Sequence, residues 1–585
     1  MLVAIMGITT SGLNLSFGLA GELALGQAAV FASGAYTTAY LSTHGHTDLV
    51  LCLVASAVVA VVVGLIAGGP GLRLGGFTLA MASFFLVLLI PSVIELFGET
   101  LGGPDGLSGI PLPSVFGTDL GTDGLYAAIV VVGGIWLFLF RNIVKSRQGR
   151  ILVTMRESPV LAASCGAHPF QMKLRSYAIA GIPAGLGGSL FVFLNAFVSP
   201  TSFGFDLVIL LLAMSVIGGS QSVLGPVVGA FLLTYLPERV SVFQDYTLVA
   251  YGAMLVLIGV LLPRGAVGLL SGLWKRAVAS RRSSSADEAN PGALTLPPID
   301  GRELHLRDVA VSFGGVRALD GVSFSARPGE ITALIGPNGS GKTTLLNVVS
   351  GYLRRDSGGD ITLDGKAIHG LRPDRIRRMG VGRTFQTPLI PRDLTVRETL
   401  MVGAYGDSRS GFFSAALRLP GYLKAERRER EAADELVEAF GLAGRADMPA
   451  KDLSLGTRRI VELARALMGR PQVVLLDEIA SGLDRDEVQE LVEALHLLKR
   501  SGATVVLVEH NFSLVRAVAD TVVCLAGGRL LAQGTPDEIA SHPDVLEKYL
   551  GAGAGISGTD LGAHLDPADE TSPVRTGPAQ QGGAS

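Results

Sequence analysis

Apolar residues in the first half of this chain come in runs as long as a bilayer is thick. In the second half they come in short stretches that end in glycine, acids or histidine. The long runs lie at about 1–18, 23–43, 49–68, 74–97, 124–140, 177–198 and 246–262. A hydrocarbon core about 30 Å thick needs about 20 apolar residues per helix, so each run predicts a membrane span. Two shorter runs, 206–217 and 223–236, are separated by "GGSQSVLGP" and either cross or dip in and return. Any one run also reads as a core helix of a large soluble protein, but a succession of them does not.

Charge then gives the runs a direction. The loop "RNIVKSRQGRILVTMRE" and the stretch Arg264 to Arg282 are strongly basic, which predicts a cytoplasmic location for both. The loop "ELFGETLGGPDGLSGIPLPSVFGTDLGTD" has acids and no Lys or Arg, which predicts the outer side. Counting back from these anchors puts Arg73 inside and the N-terminus outside. No cleavable signal peptide is evident, and an outside N-terminus suggests a start one helix late, or a Met1 that is not the native start.

Composition divides the chain at the same place. The mean hydropathy of +0.45, with 17% charged residues, averages an apolar first part and a second part of ordinary soluble composition. Between them "KRAVASRRSSSADEANPGALTLPPID" reads as a tether, and the Gly/Ala/Pro/Thr-rich end reads as disordered. The predicted division is a transmembrane domain 1–272, a linker 273–301, a soluble domain 302–551 and a disordered tail 552–585. A net charge of −3 gives no pointer to nucleic acid, and Cys52, Cys165 and Cys524 lack metal or redox spacing.

Polar groups inside apolar segments are costly and tend to be functional. Asn14, Glu22 and Gln27 cluster in "SGLNLSFGLAGELALGQAAVFASGAY", amid glycines that break helices where transporters build solute sites. Close packing on small-residue faces accounts for the same glycines.

In the second half, "ITALIGPNGSGKTTLLNVVS" is an apolar strand, a Gly-rich loop and a helix. Gly336 to Thr343 fits G-x-x-x-x-G-K-[ST] in the context that motif requires. In such a loop Gly336, Asn338, Gly339, Ser340 and Gly341 wrap backbone N–H groups around phosphates. Lys342 supplies a cation to the β/γ oxygens, Thr343 offers a hydroxyl to Mg2+, and Thr344 follows on the same helix end. These residues predict binding of ATP with Mg2+. "QVVLLDEIASGLD" ends its strand in two acids: Asp477 suits a water-mediated magnesium contact, and Glu478 can polarise the attacking water. "ATVVLVEHNF" ends a third strand in His510, a candidate donor to the γ-phosphate.

Residues 302–551 together resemble the ATP-binding cassette of ABC transporters. The resemblance implies that Phe313 stacks on adenine, that Gln386 in "GRTFQ" is a catalytic glutamine that also contacts the metal, and that Asp484 in "SGLD" belongs to the D-loop. It also makes "LSLGT" the signature, in which Ser454 and Gly456 present a helix N-terminus to the γ-phosphate of another subunit's nucleotide. Leu455 and Thr457 depart from LSGGQ, and Thr457 removes a long amide, which implies a working but weakened clamp. Ile479 and Asn511 also depart from the family pattern, at positions that do not carry the chemistry.

Within the family, "RTFQ", the long insert after it, "RRIVELARAL" and a closing "YLG" resemble the larger Liv-type ATPase of branched-chain amino acid importers. "GLNLSFGLAGELALGQAAVFASGAY", "LGGPDGLSGIP" and "VIGGSQSVLGPVVGAFLL" resemble the Liv-type permease, over most of residues 8–264. The run Ala162, Ala163, Gly166 in "GRILVTMRESPVLAASCGAHPF" resembles the coupling loop of importer permeases, expected to dock as a short helix near Gln386.

The implied fold class is a polytopic α-helical membrane domain followed by an α/β P-loop ABC nucleotide-binding domain. The implied function is ATP-driven import of branched-chain or related hydrophobic amino acids across the inner (plasma) membrane, the ATPase being cytoplasmic. The implied partners are a second Liv-type permease, a second ABC ATPase, an extracellular or periplasmic solute-binding protein, the small-molecule substrate and the lipid bilayer. Uptake of urea, short amides or other small solutes remains an alternative, as does a membrane-anchored ATPase without transport. An exporter fits less well, because exporters carry long helices that continue into the cytoplasm.

Overall fold

Small residues determine how the apolar half packs in this computed structural model, which describes residues 1–74, 76–115, 117–235, 249, 252, 265–269, 296–353, 358–408 and 410–547. The helix Pro169–Asn195 carries "AGIPAGLGGSL" at its middle. A Cβ on Gly185 would stand 2.5 Å from Ser56 O, and one on Gly188 would stand 2.2 Å from Phe31 O. Only glycine lets the helices Gln27–Thr43 and Leu49–Leu74 approach that closely. Thr38 then donates to Ser189 Oγ at 2.7 Å and shares a hydrogen bond with Ser56 Oγ at 2.8 Å, tying the three helices by polar contacts inside an apolar layer.

Six helical stretches among the described residues are long and apolar enough to cross a membrane: Leu2–Leu19, Leu49–Leu72, Thr78–Leu96, Thr122–Lys145, Pro169–Asn195 and Pro200–Gly218. Two runs differ in extent from their helices. The run 23–43 forms the helix Gln27–Thr43, whose 17 residues fall short of that length. The run 206–217 gains a turn, Pro200–Phe203, at its start and becomes one of the six. The run 223–236 forms the shorter apolar stretch Gly225–Tyr235. The span expected at 246–262, most of Arg264 to Arg282, the linker as far as 295 and the tail from 552 lie outside the described residues.

The loops follow the charge reading. The acidic loop folds at one end of Pro169–Asn195, where Leu107–Ser108 pairs with Phe197–Val198. At the other end the basic loop becomes the helices Arg147–Glu157 and Pro159–Ser164, both packed on the cassette.

The cassette contains a six-stranded sheet ordered Val381–Arg383, Val473–Asp477, Thr504–Val508, Ile331–Ile335, Thr521–Ala526, Arg529–Gly534, parallel except for its last pair. Its three central strands are buried at every position, as expected for a parallel sheet covered on both faces. A four-stranded antiparallel sheet, led by Val316–Ala326 and Leu304–Phe313, forms a second layer. The chemistry-bearing residues sit where the parallel strands end, the usual ligand side of such sheets.

Candidate ATPase site

The loop after Ile331–Ile335 bends because Gly336 and Gly341 adopt φ of 145° and 102°. A Cβ on Gly336 would meet Leu525 O at 2.1 Å, so no other residue fits there. The loop delivers the chain into the helix Lys342–Val349. The Lys342 ammonium donates to Gly336 O at 2.8 Å and to Pro337 O at 3.0 Å, curling over the loop whose N–H groups it would help to charge. Burial lowers its pKa, opposed by the Glu478 and Asp477 carboxylates. Asn338, Gly339 and Thr343 are exposed on the loop and helix end, Thr344 is half-buried, and Ser340 is buried.

The strand Val473–Asp477 brings two carboxylates to this loop. Asp477 is buried; its Oδ2 faces Arg383 Nη2 at 3.4 Å and its N–H donates to Thr384 Oγ1 at 3.2 Å. Burial raises its carboxyl above the usual range, against the pull of Arg383. Asp477 Oδ1 and Ser340 Oγ are buried with no hydrogen-bond partner among the described residues. Glu478 has a positive φ of 46°, uncommon for a side chain of its kind, and its N–H donates to Val508 O at 2.9 Å. The turn aims its carboxylate at Gln386, whose Nε2 donates to Oε2 at 2.7 Å. Thus Gln386, Glu478, Asp477 and Lys342 are assembled around the P-loop.

His510 is exposed at the end of Thr504–Val508, with Nδ1 3.9 Å from Glu509 Oε2. Phe313 ends its strand 51% exposed, with a ring free to stack.

The signature residues form a separate cluster. Ser454 caps the helix Leu455–Leu467 by accepting from Thr457 N at 3.2 Å. Gly456 N donates to Glu487 Oε1 at 3.1 Å, and Glu487 closes a capping box with Asp484. Thr457 accepts from Arg445 Nη1 at 2.8 Å and bonds Ser454 Oγ at 3.0 Å, so its hydroxyl stabilises the cap. Among the described residues no hydrogen bond or ion pair joins this cluster to the P-loop or Glu478.

Four charged residues that the sequence reading did not single out shape the site. Glu509, fully buried, accepts from Ala480 N at 2.9 Å and so braces the turn after Glu478. Glu462, also fully buried, accepts from Phe385 N at 2.8 Å next to Gln386. Arg383 holds Asp477, and Glu487 joins signature to D-loop. Three of the four had a signal: an acid at a strand end in "VLVEH", an acid within the apolar "RRIVELARAL", and a cation in "GRTFQ".

The coupling helix Pro159–Ser164 does dock on the cassette, but on Tyr352, Arg378 and Arg465. Tyr352 OH donates to Val160 O at 2.6 Å, Arg378 Nη2 to Gly166 O at 3.4 Å, and Arg465 Nη1 to Cys165 Sγ at 3.4 Å. Gly166 is needed at φ 91°, where a Cβ would stand 2.6 Å from Gly406 Cα. The Tyr352 ring packs edge-on to Phe385, the residue before Gln386. Beside this contact, buried Arg147 meets Glu429 Oε1 at 3.0 Å, donates to Ala404 O at 3.0 Å and lies over the Tyr405 ring.

Burial pushes the Glu429 carboxyl from 4.5 to about 7, more than Arg147 and Arg150 hold it down. The raised value means the docked state favours the protonated form. The contribution is therefore full below about 4.5 and falls as pH rises through about 7. The denaturation midpoint of wild type relative to Glu429→Gln should drop between these values and then level off. A flat difference across that window would show that Glu429 stays ionised.

In the apolar half, Asn14, Glu22 and Gln27 each contact a distant part of the chain. Asn14 Nδ2 donates to Gly219 O at 3.2 Å, Gln27 Nε2 donates to Ala180 O at 3.0 Å, and Glu22 pairs with Lys173. Asn14 thus reaches the loop after Phe205–Gly218, while Glu22, on the non-helical stretch, and Gln27 both reach the helix Pro169–Asn195. The break in the first helix is nonetheless present: residues Asn14–Leu19 form a π-helix and the chain then leaves helical geometry until Gln27.

Three comparisons bear on this arrangement. The family model described as "Branched-chain amino acid transport system / permease component" matches residues 1–259. The model "ABC transporter" matches residues 319–481, and "Branched-chain amino acid ATP-binding cassette transporter" matches 529–555. The chain is similar to the high-affinity branched-chain amino acid transport ATP-binding protein LivG of Salmonella typhimurium, 38% identical over 249 residues, covering 42% of this chain and 97% of LivG. It is 36% identical to BraF, the corresponding protein of Pseudomonas aeruginosa, over 249 residues that cover 42% of this chain and 97% of BraF. A solved nucleotide-free ATP-binding cassette from an ABC transporter aligns at 32% identity over 42% of this chain and 98% of its own, with a TM-score of 0.38.

Proposed function

The chain belongs to the branched-chain amino acid ABC transporter family, with permease and ATP-binding cassette on one polypeptide, and on that premise we propose that it imports branched-chain or related hydrophobic amino acids. ATP hydrolysis coupled to transport is the activity of its cassette. What carries the importer reading is the branched-chain permease match over residues 1–259, in a chain whose cassette also assembles Gln386 and Glu478 beside the P-loop.

The site fits a magnesium nucleotide, because Asp477 Oδ1 and Ser340 Oγ are buried without partners on the rim of a positively charged loop. The N–H groups of Gly336 to Thr344, with Lys342, bind the phosphates, while Asn338 and Ser340 line the loop and Phe313 stacks on adenine. Thr343, Asp477 (through water) and Gln386 would hold Mg2+, which when bound neutralises charge on the β- and γ-oxygens. Glu478 takes the proton from water as it attacks, Gln386 orients Glu478, and His510 donates to the γ-phosphate. Ser454, Gly456 and Asp484 serve the nucleotide of another chain. The isolation of that cluster from this chain's own P-loop supports the assignment.

We place the permease at 1–272, the linker at 273–301 and the cassette at 302–551, in the inner (plasma) membrane with the cassette in the cytoplasm. One copy pairs with a second Liv-type permease, a second ABC ATPase and an external solute-binding protein. Cells lacking the chain should lose high-affinity uptake of a branched-chain amino acid in a tracer assay, with efflux unchanged. Two copies with different tags, co-expressed and purified on one tag, should not bring the other through. Equal recovery of both tags in a complex that hydrolyses ATP unaided would replace the heteromer with a homodimer.

A further inference from the structure

The cassette carries an apolar segment that lies against a membrane-spanning helix. Between Ser408 and Ala425 its insert has the cations Arg409, Arg418 and Lys424 and no acid. The helix Phe412–Ala416 in this insert lies against the spanning helix Thr122–Lys145, held by the Asn142 side chain donating to Ala416 O at 2.8 Å. Between these two and Pro169–Asn195 runs a groove of about 330 Å³, walled by apolar side chains including Val132, Trp136, Ile143, Ile182, Phe413 and Leu417.

Depth identifies what fills it. At 1.5 Å per residue, Val132 to Ile143 spans about 16 Å, within a helix long enough to cross a core of about 30 Å. The basic helix Arg147–Glu157 follows at once and rests on the cassette, so the groove occupies the inner half of the hydrocarbon layer. Phe413 is 74% exposed, and Ile135, a wall of the groove, is 57% exposed on the outward face of the spanning helix. The groove is thus continuous with a surface that acyl chains already cover. Exposed Arg141 and Lys145 end the spanning helix, and exposed Arg418 and Lys424 follow the insert helix, so the inner rim is cationic and favours anionic headgroups.

We infer that the insert of this ATPase is embedded in the membrane, and that its groove takes an acyl chain of an anionic phospholipid of the inner leaflet. The insert thereby contacts lipid directly rather than only the permease. It is a second attachment of the cassette to the membrane, independent of the coupling helix.

Nitroxide accessibility tests this. Cys52, Cys165 and Cys524 are all buried, so a spin label attaches selectively at Phe413→Cys or, should that variant misfold, at Leu417→Cys, with Ser541→Cys as an exposed control. The full chain with its co-purifying subunits is placed in nanodiscs of phosphatidylcholine alone, or of phosphatidylcholine with an equal part of phosphatidylglycerol. The label at 413 should collide several-fold more with oxygen than with a nickel chelate, while the control shows the reverse. The phosphatidylglycerol discs should slow the label, and Arg418→Gln should remove that difference. A nickel preference at 413 would make the segment aqueous, and shielding from both reagents would mean that another protein subunit covers the groove. Either result overturns the proposal, and identical spectra in the two lipids overturn its anionic preference.

Discussion

Replacing Glu478 by Gln should leave ATP bound and lower hydrolysis at this chain's own P-loop by about 10²–10⁴-fold, the usual worth of a positioned general base. The substitution preserves shape and the contact with Gln386 Nε2, which stands 2.7 Å from Oε2. It removes only the ability to take a proton. The groups that hold the phosphates, Lys342 and the loop with Gly336 at φ 145°, are untouched. The measurement is the ratio of ATP to ADP retained after rapid desalting of the assembled complex. If, as proposed above, the Ser454 cluster serves another chain's nucleotide, Ser454→Ala in the same complex should spare this ratio relative to Glu478→Gln. ADP formed at the wild-type rate in the Gln variant would remove Glu478 from the role.

The ATPase site was legible for a chemical reason. Phosphate binding needs glycine at left-handed backbone positions, a cation and a hydroxyl at fixed spacing, and Gly336 to Thr343 states all of them in eight consecutive residues. Strand-end acids are equally local: "LLDE" places Asp477 and Glu478 together before any fold is known. What a linear reading misses is the bracing across the chain. Glu462 holds Phe385 N and Glu487 holds Gly456 N, and in each case the acid is distant in sequence from what it holds. A buried acid on an apolar helix face is visible in a sequence; its partner is not.

In the membrane half, hydropathy found the helices among the described residues, and two of them differ instructively in extent from their apolar runs. Gln27–Thr43 is rich in Ser, Thr and Tyr, and its 12 buried residues, Thr38 among them, pack on neighbouring helices, so its burial is protein rather than lipid. The run at 206–217 was extended by Pro200–Phe203, where Ser199 caps a turn that no apolar count registers. The polar residues of "SGLNLSFGLAGELALGQ" each reach another segment: Asn14 bonds Gly219 O, while Glu22 and Gln27 both reach Pro169–Asn195. Side-chain reach, which sequence does not show, decided that outcome.

The second large effect is expected where the two halves meet. Arg147→Met should leave Glu429 buried without its partner; breaking a buried pair from one side costs up to about 3–5 kcal/mol, less what protonation of a carboxyl already raised to about 7 recovers. Arg147 also donates to Ala404 O at 3.0 Å, so the substitution loosens the insert as well as the ion pair. The cassette's own nucleotide chemistry lies elsewhere, and the contact of Tyr352 OH with Val160 O at 2.6 Å survives. Uptake should therefore fall by at least tenfold, about 1.4 kcal/mol of lost coupling, while ATP hydrolysis falls far less, which raises the ATP spent per solute moved. Adding Glu429→Leu should recover part of the loss, since removing both charges leaves an apolar contact in place of an unpaired carboxylate. Equal losses in uptake and hydrolysis would make the Arg147–Glu429 pair a fold contact alone. Recovery by the second substitution, with the ATP-to-solute ratio returning toward wild type, would locate the transmission of force in this pair beside the coupling helix.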